Sequence, residues 1–351
     1  MAMGKRVLVT SYTHSAVDNI LLKLVGGSAH RHGSYTTDVV RVGRKHSVHP
    51  ALHRYLTSDL ASEMDQQEGL RTGSLASDGD TNADKNPSIA NLHKVISSAK
   101  VVGVSALTVP KSPLLIGQKF DLVIVDEAGQ ISQPAIIGAL LAAESFVLVG
   151  DHEQLPPLVQ SDVAEKAGEC YYYDFTTLLL ESFLINKVIG YSVSMLKRLA
   201  DEHPNAVAQL TLQYRMHEDI CLLPNLLVYK GGLKCANDDV KSKKLRLNSF
   251  PRSLKTIIKP NNKGLGWLLP VLNPNKPVVF VNTDNIGQDL EFCGKGGNRS
   301  SSRGLVNDTE LELSRFVVNG LLVCGLPPSS VGIISPYRAQ VCKCIQALTA
   351  A

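Results

Sequence analysis

Eight short runs of mostly β-branched apolar residues recur along the chain: RVLVT (6–10), VVRVG (39–43), VVGVS (101–105), LVIVD (122–126), FVLVG (146–150), LTLQY (210–214), PVVFVN (277–282) and VGIIS (331–335). Within a run the apolar positions are mostly continuous instead of alternating. A strand with one wet face alternates, whereas a strand covered on both faces, as in a parallel sheet, does not. Segments of helical spacing lie between the runs, among them SAVDNILLKL (15–24) and ELELSRFVVNGLL (310–322). Strands and helices in alternation predict an α/β fold with parallel sheets.

Three segments break the rhythm. Residues 57–88 are rich in Ser, Asp, Gly, Asn and Gln and read as a polar, mobile surface insert. Residues 169–191 are apolar and tyrosine-rich without a clean period, and residues 292–304 form a glycine- and serine-rich loop. The spacing places a boundary between two lobes near residues 200–208. This gives a first lobe over 1–168, an apolar insert and connection over 169–204, and a second lobe over 205–351.

Composition narrows the picture only a little. In 351 residues, 44% apolar content suffices for a substantial core, and 36 Lys and Arg against 32 Asp and Glu leave a net charge of +4. Such a balance permits a polyanionic partner without demanding one. There is no long basic run, so a nucleic-acid surface has to be assembled by folding. The seven cysteines include no Cys-x-x-Cys pair and read as reduced thiols. The most apolar stretch, 178–196, is interrupted by Glu181, Asn186, Lys187 and Ser194, which makes a poor membrane span. The N-terminus has no signal-like apolar core, and the reading is a soluble intracellular protein without a membrane partner.

Candidate chemistry sits at the ends of the apolar runs. LVIVDEAGQ (122–130) closes a strand on Asp126 and Glu127. An aspartate there can hold Mg²⁺ and an adjacent glutamate can activate water, although an acidic strand end is also a common surface feature. VLVGDHEQLPP (147–157) ends another strand in Gly150 and Asp151. Its Gln154 has both donor and acceptor groups, as sensing a γ-phosphate or a catalytic water requires. In LTLQYRMHEDI (210–220), Tyr214 can stack on a base and Arg215 can reach a transferring phosphate. TSYTHSAVDN (10–19) passes from a strand through hydroxylic residues into a helix start that suits a phosphate backbone, or is simply an N-cap. VGVSAL (102–107) brings Ser105 to a strand end.

Taken in order, TSYTHSAVDN, VIVDEAGQ, LVGDHEQLPPLV, LQYRMHEDI and GIISPYRAQ (332–340) resemble the core of a superfamily 1 helicase. AVDNILLKL, the SQP after the acidic strand and NDTE (307–310) resemble, more narrowly, the eukaryotic DNA replication ATP-dependent helicase/nuclease family. The resemblance implies two RecA-like P-loop NTPase lobes with parallel sheets, both incomplete here. It implies ATP and Mg²⁺ as cofactors, with Asp126 on the metal and Glu127 as catalytic base. Gly150, Asp151 and Gln154 couple the γ-phosphate to the nucleic-acid site. Gln213 and Tyr214 bind the nucleotide, with Tyr214 on the adenine, and Arg215 reaches the γ-phosphate. Thr10, Ser11, Thr13, Ser15 and Ser105 face the nucleic-acid backbone. The implied partners are single-stranded or flapped DNA together with replication and single-strand-binding proteins, in the nucleus and also the mitochondrion. Gly129 stands where the family usually has alanine or a small hydroxylic residue, and its backbone freedom is expected to loosen the turn.

A P-loop reads Gly, four residues, Gly-Lys, then Ser or Thr, and none occurs in the chain. In the family that loop lies just upstream of 6–10, and the nuclease domain lies further upstream. The expectation is two neighbouring strands without ladder partners, an unstable first lobe and collapsed ATP affinity. Two further readings stay open: a non-catalytic remnant that binds nucleic acid weakly, and an RNA helicase relative, for which the RNA-binding insert domains are not seen. AEKAGE (164–169) joins well to SVSMLKRL (192–199), so the intervening residues read as a translated intron or a lineage insert. Mature transcripts that run uninterrupted through this stretch would refute the intron.

Overall fold

The computed structural model describes residues 4–28, 38–71, 87–159, 191–258, 263–283 and 306–349. Residues 169–190 of the apolar segment and the whole loop 292–304 lie outside them, as do residues 72–86. The contacts divide the chain into two compact units, Met1–Ala208 and Gln209–Ala351.

Unit 1 is built on β1 (Val7–Ser11), β2 (Val39–Arg41), β3 (Val101–Ser105), β4 (Phe120–Asp126) and β5 (Ala143–Leu148). All pairings are parallel, in the order β2-β3-β1-β4-β5. Helices α1 (His14–Ser28), α2 (Thr57–Arg71), α3 (Ile89–Ser98), α4 (Gln133–Leu140) and α5 (Met195–Glu202) complete the unit. Five of the apolar runs therefore form one sheet, and continuous apolarity has its expected cause. Leu8, Val102, Val104, Val123 and Val125 face a core shared with Ile96, Ile131 and Ile136. Val9, Val39 and Val101 face the other way, onto Val17, Leu21, Leu52 and Leu56. Each such side chain contributes about 1.5–3 kcal/mol when fully buried.

The ladder is interrupted less than the sequence implies. β1 is paired on both sides, and among the described residues the strands with a single neighbour are the two edges, β2, which pairs with β3, and β5, which pairs with β4. Phe146 is 48% exposed and Val147 46%, so the run that looks covered on both faces stands half open at the sheet edge.

Residues 57–71 also differ from the expected insert, because they form helix α2. Its polar residues have partners. Asp65 accepts from the Ser88 amide at 2.8 Å and from Asn91 Nδ2 at 2.7 Å, and Asn91 also donates to Glu68 at 3.0 Å. Ala61 is buried, and Leu60 and Met64 pack on the core. A weakly amphipathic helix is thus held by side-chain hydrogen bonds that composition does not register.

Unit 2 contains β6 (Leu212–Gln213), α6 (Glu218–Leu227), β7 (Lys234–Cys235), α7 (Asp238–Lys241), α8 (Arg252–Ile257), α9 (Leu268–Val271), α10 (Asp308–Val323) and α11 (Arg338–Thr349). Its small core gathers Leu254, Leu268, Leu272 and Cys324. β6 and β7 are parallel, with Gln213 opposite Cys235. The runs 277–282 and 331–335 are not strands: neither enters a ladder among the described residues. Phe280 is 88% exposed and Ile334 97%. Apolar, β-branched sequence favours extended backbone, but a strand exists only where a neighbour supplies hydrogen bonds. No helix among the described residues is long and apolar enough to cross a membrane.

Gly103 sets the distance between α1 and the sheet, since a Cβ there would lie 2.5 Å from Leu21 Cδ1 and 3.2 Å from Val17 Cγ1. Gly103→Ala is expected to destabilise unit 1 by about 1–3 kcal/mol, as overpacking does. Urea denaturation followed by circular dichroism checks this, and an unchanged midpoint would refute the tight packing.

Candidate functional site

In open parallel sheets, ligands bind beyond the carboxyl ends of the strands. There the register sets Ser11 of β1 between Ser105 of β3 and Asp126 of β4. One turn leaves β4 and another leaves β5, and the two are fastened backbone to backbone. The Ala128 amide donates to the Val149 carbonyl at 2.9 Å, and the Val149 amide donates to Val125 at 2.8 Å. A Cβ on Gly129 would lie 2.6 Å from the Asp151 carbonyl oxygen, and one on Gly150 would lie 3.0 Å from the amides of Ala128 and Gly129. Gly129 therefore does not loosen its turn. It lets the second turn approach within a distance that any side chain would forbid.

Glu127 adopts a left-handed conformation with φ of 53°. For a long side chain this costs roughly 1–3 kcal/mol and persists only where the surroundings enforce it, as at functional sites. Its carboxylate accepts from Gln130 Nε2 at 3.1 Å and is otherwise turned to solvent. Asp126 is half-buried at the strand end, and its carboxylate makes no hydrogen bond or ion pair among the described residues. Beside it in register, the Ser11 hydroxyl is fully buried without a partner, as is that of Thr10. An unengaged carboxylate in an oxygen-rich setting fits Mg²⁺, which binds one or two carboxylates and keeps several waters. A phosphate cradle is a different matter: no residues of this chain supply the glycine-rich loop that ATP requires, so the donors present fit the metal and not the whole nucleotide.

The second turn is closed by Asp151. It accepts from the Glu153 amide at 3.0 Å and from Gln154 Nε2 at 2.9 Å. Gln154 is thus held at the site while remaining exposed.

The five hydroxylic residues read as one nucleic-acid surface do not share a surface. Thr10, Ser11 and Ser105 are buried, and Ser105 Oγ is bonded to Thr108 Oγ1 at 2.7 Å. Thr13 and Ser15 are exposed at the start of α1, where Thr13 Oγ1 accepts from the Ala16 amide at 3.2 Å and caps the helix. Strand-end residues alternate between faces and are roofed by the chain beyond them, which a linear motif does not reveal.

In unit 2, Gln213 is not available to a ligand. Its Oε1 accepts from the amides of Arg215 and Met216, both at 2.9 Å. Its Nε2 donates to the Met216 carbonyl at 2.7 Å and to Cys235 Sγ at 3.0 Å. The amide shapes the turn, and Tyr214 and Arg215 are left exposed on it.

Sequence reasoning missed one group altogether. Arg41, fully buried, donates from Nε to Asp18 Oδ1 at 2.7 Å and from Nη1 to the Val42 carbonyl at 2.8 Å. Its Nη2 lies 3.1 Å from His14 Nδ1 and 3.4 Å from the His14 carbonyl. Asp18 Oδ2 accepts from the His49 amide at 2.7 Å. Desolvation, and secondarily the Arg41 charge, push the His14 pKa below its ordinary value. The ring therefore stays neutral and able to accept at Nδ1. An arginine inside the apolar run VVRVG was the available signal.

Two family models, each described as an AAA domain, match residues 74–162 and 191–351. The DNA replication ATP-dependent helicase/nuclease of Saccharomyces cerevisiae is 36% identical over 339 residues, which is 96% of this chain and 18% of the yeast protein. The human protein of that name is 36% identical over 97% of this chain and 26% of its own length. The Arabidopsis thaliana protein is 31% identical over 96% of this chain and 20% of its own length. The chain spans about a quarter or less of these relatives.

Gly129→Ala is expected to cost about 1–3 kcal/mol, because the atom it meets is a backbone carbonyl that cannot rotate aside. The accompanying check is amide hydrogen exchange. Ala128 and Val149 should exchange faster, and unchanged protection would show that the turns are not coupled through Gly129.

Proposed function

We propose, for a chain related over nearly its whole length to the DNA replication ATP-dependent helicase/nucleases, that it carries the helicase-core portion of such an enzyme. Residues 1–168 form the first RecA-like lobe, 169–204 the insert and connection, and 205–351 the second lobe. The observation that carries the reading is the pair of interlocked turns presenting an unengaged Asp126, a strained Glu127 and a tethered Gln154 at the carboxyl edge of a parallel sheet.

In that reading Asp126 would hold Mg²⁺, which when bound would neutralise charge on the phosphates. Glu127 takes the proton of the attacking water, and the Asp151–Gln154 turn orients that water. The lock between the turns lets a change at Gln154 be felt at Glu127. In an enzyme whose phosphate loop completes the nucleotide site, Tyr214 would stack on the adenine and Arg215 would stabilise the γ-phosphate, both carried on the Gln213-braced turn. Thr13 and Ser15 meet the phosphate backbone of single-stranded or flapped DNA, in the nucleus, alongside replication and single-strand-binding proteins.

A second reading applies to this polypeptide by itself: a nucleic-acid-binding module without catalysis. The absence of a P-loop pattern from the 351 residues and the open edge of β5 favour it. The expected outcome is that the purified chain binds single-stranded DNA by fluorescence anisotropy, in preference to RNA, but shows no DNA-stimulated ATP hydrolysis. A hydrolysis rate lost on Glu127→Gln would overturn the second reading. Absence of DNA binding would overturn the nucleic-acid assignment. An endogenous species much heavier than this chain on an immunoblot would place the core within a larger enzyme.

A further inference from the structure

The exposed start of α1 needs something to fix it, because Thr13 and Ser15 satisfy mostly each other and the helix cap. Ser15 Oγ donates to Thr13 Oγ1 at 3.3 Å, a long bond with little directional hold. Directly behind them lies Arg41. Its guanidinium is wholly buried and reaches three neighbouring segments: α1 through Asp18 and His14, the end of β2 through Val42, and β3 through the Gly103 carbonyl at 3.5 Å. Asp18 continues the chain of contacts to the His49 amide, so residues 46–49 are drawn against α1. Between them is a cavity of about 260 Å³ lined by Ser15, Asn19, His46 and Ser47.

A buried ion pair is weak evidence for stability, since desolvation offsets most of the Coulombic gain. Its better-attested use is to specify one arrangement among several. Arg41 suits this use, since a planar fork with fixed donor directions dictates where each acceptor sits, which a lysine does not. The His14 contact is the informative one. Asp18 alone would neutralise the charge, yet Arg41 also binds both the ring and the carbonyl of His14, the first residue of α1 and the one between Thr13 and Ser15.

We infer that Arg41 is a positioning residue for nucleic-acid contact: by gripping His14 it fixes the first turn of α1, so that Thr13 and Ser15 meet a phosphate backbone in one geometry. This rests on the proposed nucleic-acid role of that turn.

Arg41→Lys keeps a cation opposite Asp18 and removes the grip on His14. With the full chain and a fluorescein-labelled oligothymidylate, it is expected to weaken binding about tenfold and to leave the salt slope unchanged, because the hydroxyls that lose their geometry are neutral and release no counterions. His14→Ala should do the same, and His14→Asn, whose side-chain oxygen can replace Nδ1 as acceptor, should recover most of the affinity. The double variant Arg41→Lys/His14→Ala should be no weaker than either single, because both remove one interaction. Circular dichroism melts confirm that each variant is folded, and if Arg41→Lys does not fold, the comparison of the two His14 variants carries the test. Wild-type affinity in folded His14→Ala overturns the inference while leaving the nucleic-acid reading intact, as does strict additivity in the double variant. Failure of the wild-type chain to bind overturns both.

Discussion

Everything assignable in unit 1 depends on β1 having a hydrogen-bonded neighbour on each side. That double pairing fixes Ser11 between Ser105 and Asp126 to the residue, and a one-residue slip would turn every side chain to the opposite face. The faces, in turn, decide what the motifs can do. Val123 and Val125 point into one core while Asp126 emerges at the strand end on the other side, half-buried and unengaged. The strand carrying the carboxylate is therefore held in register up to its last residue.

The two turns beyond the sheet extend this constraint. Gly129 and Gly150 each occupy a place where the opposing atoms are backbone, so the turns touch without side chains between them. Side-chain contacts can rotate or rearrange, but backbone contacts of this kind move together or not at all. A displacement of Asp151 has to be shared by Ala128 and Gly129, immediately after Glu127. A joint of this sort passes on small shifts that a softer contact would absorb.

Much of this was legible from sequence, for identifiable reasons. The runs at 101–105 and 122–126 became strands at those positions because both their faces find partners, and the acidic end of 122–126 lies where its motif implies. The runs at 277–282 and 331–335 carry an equally strong pattern and are not strands, because pairing is a property of neighbours. Thr10, Ser11 and Ser105 looked like Thr13 and Ser15 in a linear motif, but the faces and the covering chain separate buried from exposed. Gln213 was a ligand residue through the family resemblance alone, and its amide instead closes its own turn. Arg41 went unread because the sequence shows an arginine within an apolar run but not the acceptors that the fold gathers around it.

The open edge of β5 has a colloidal meaning beyond its place in the sheet. Along Ala143–Leu148 one row of amides and carbonyls has no partner strand among the described residues, and the side chains beside it include half-exposed Phe146 and Val147. Glu144 is the one charge on that strand. Natural proteins guard such edges with lysines, prolines or bulges, because an unguarded edge is a template on which another chain can add. Kept apart from whatever covers this edge, the chain carries on its own surface the means of joining to copies of itself, and its solubility will depend on concentration more steeply than its modest net charge alone would imply.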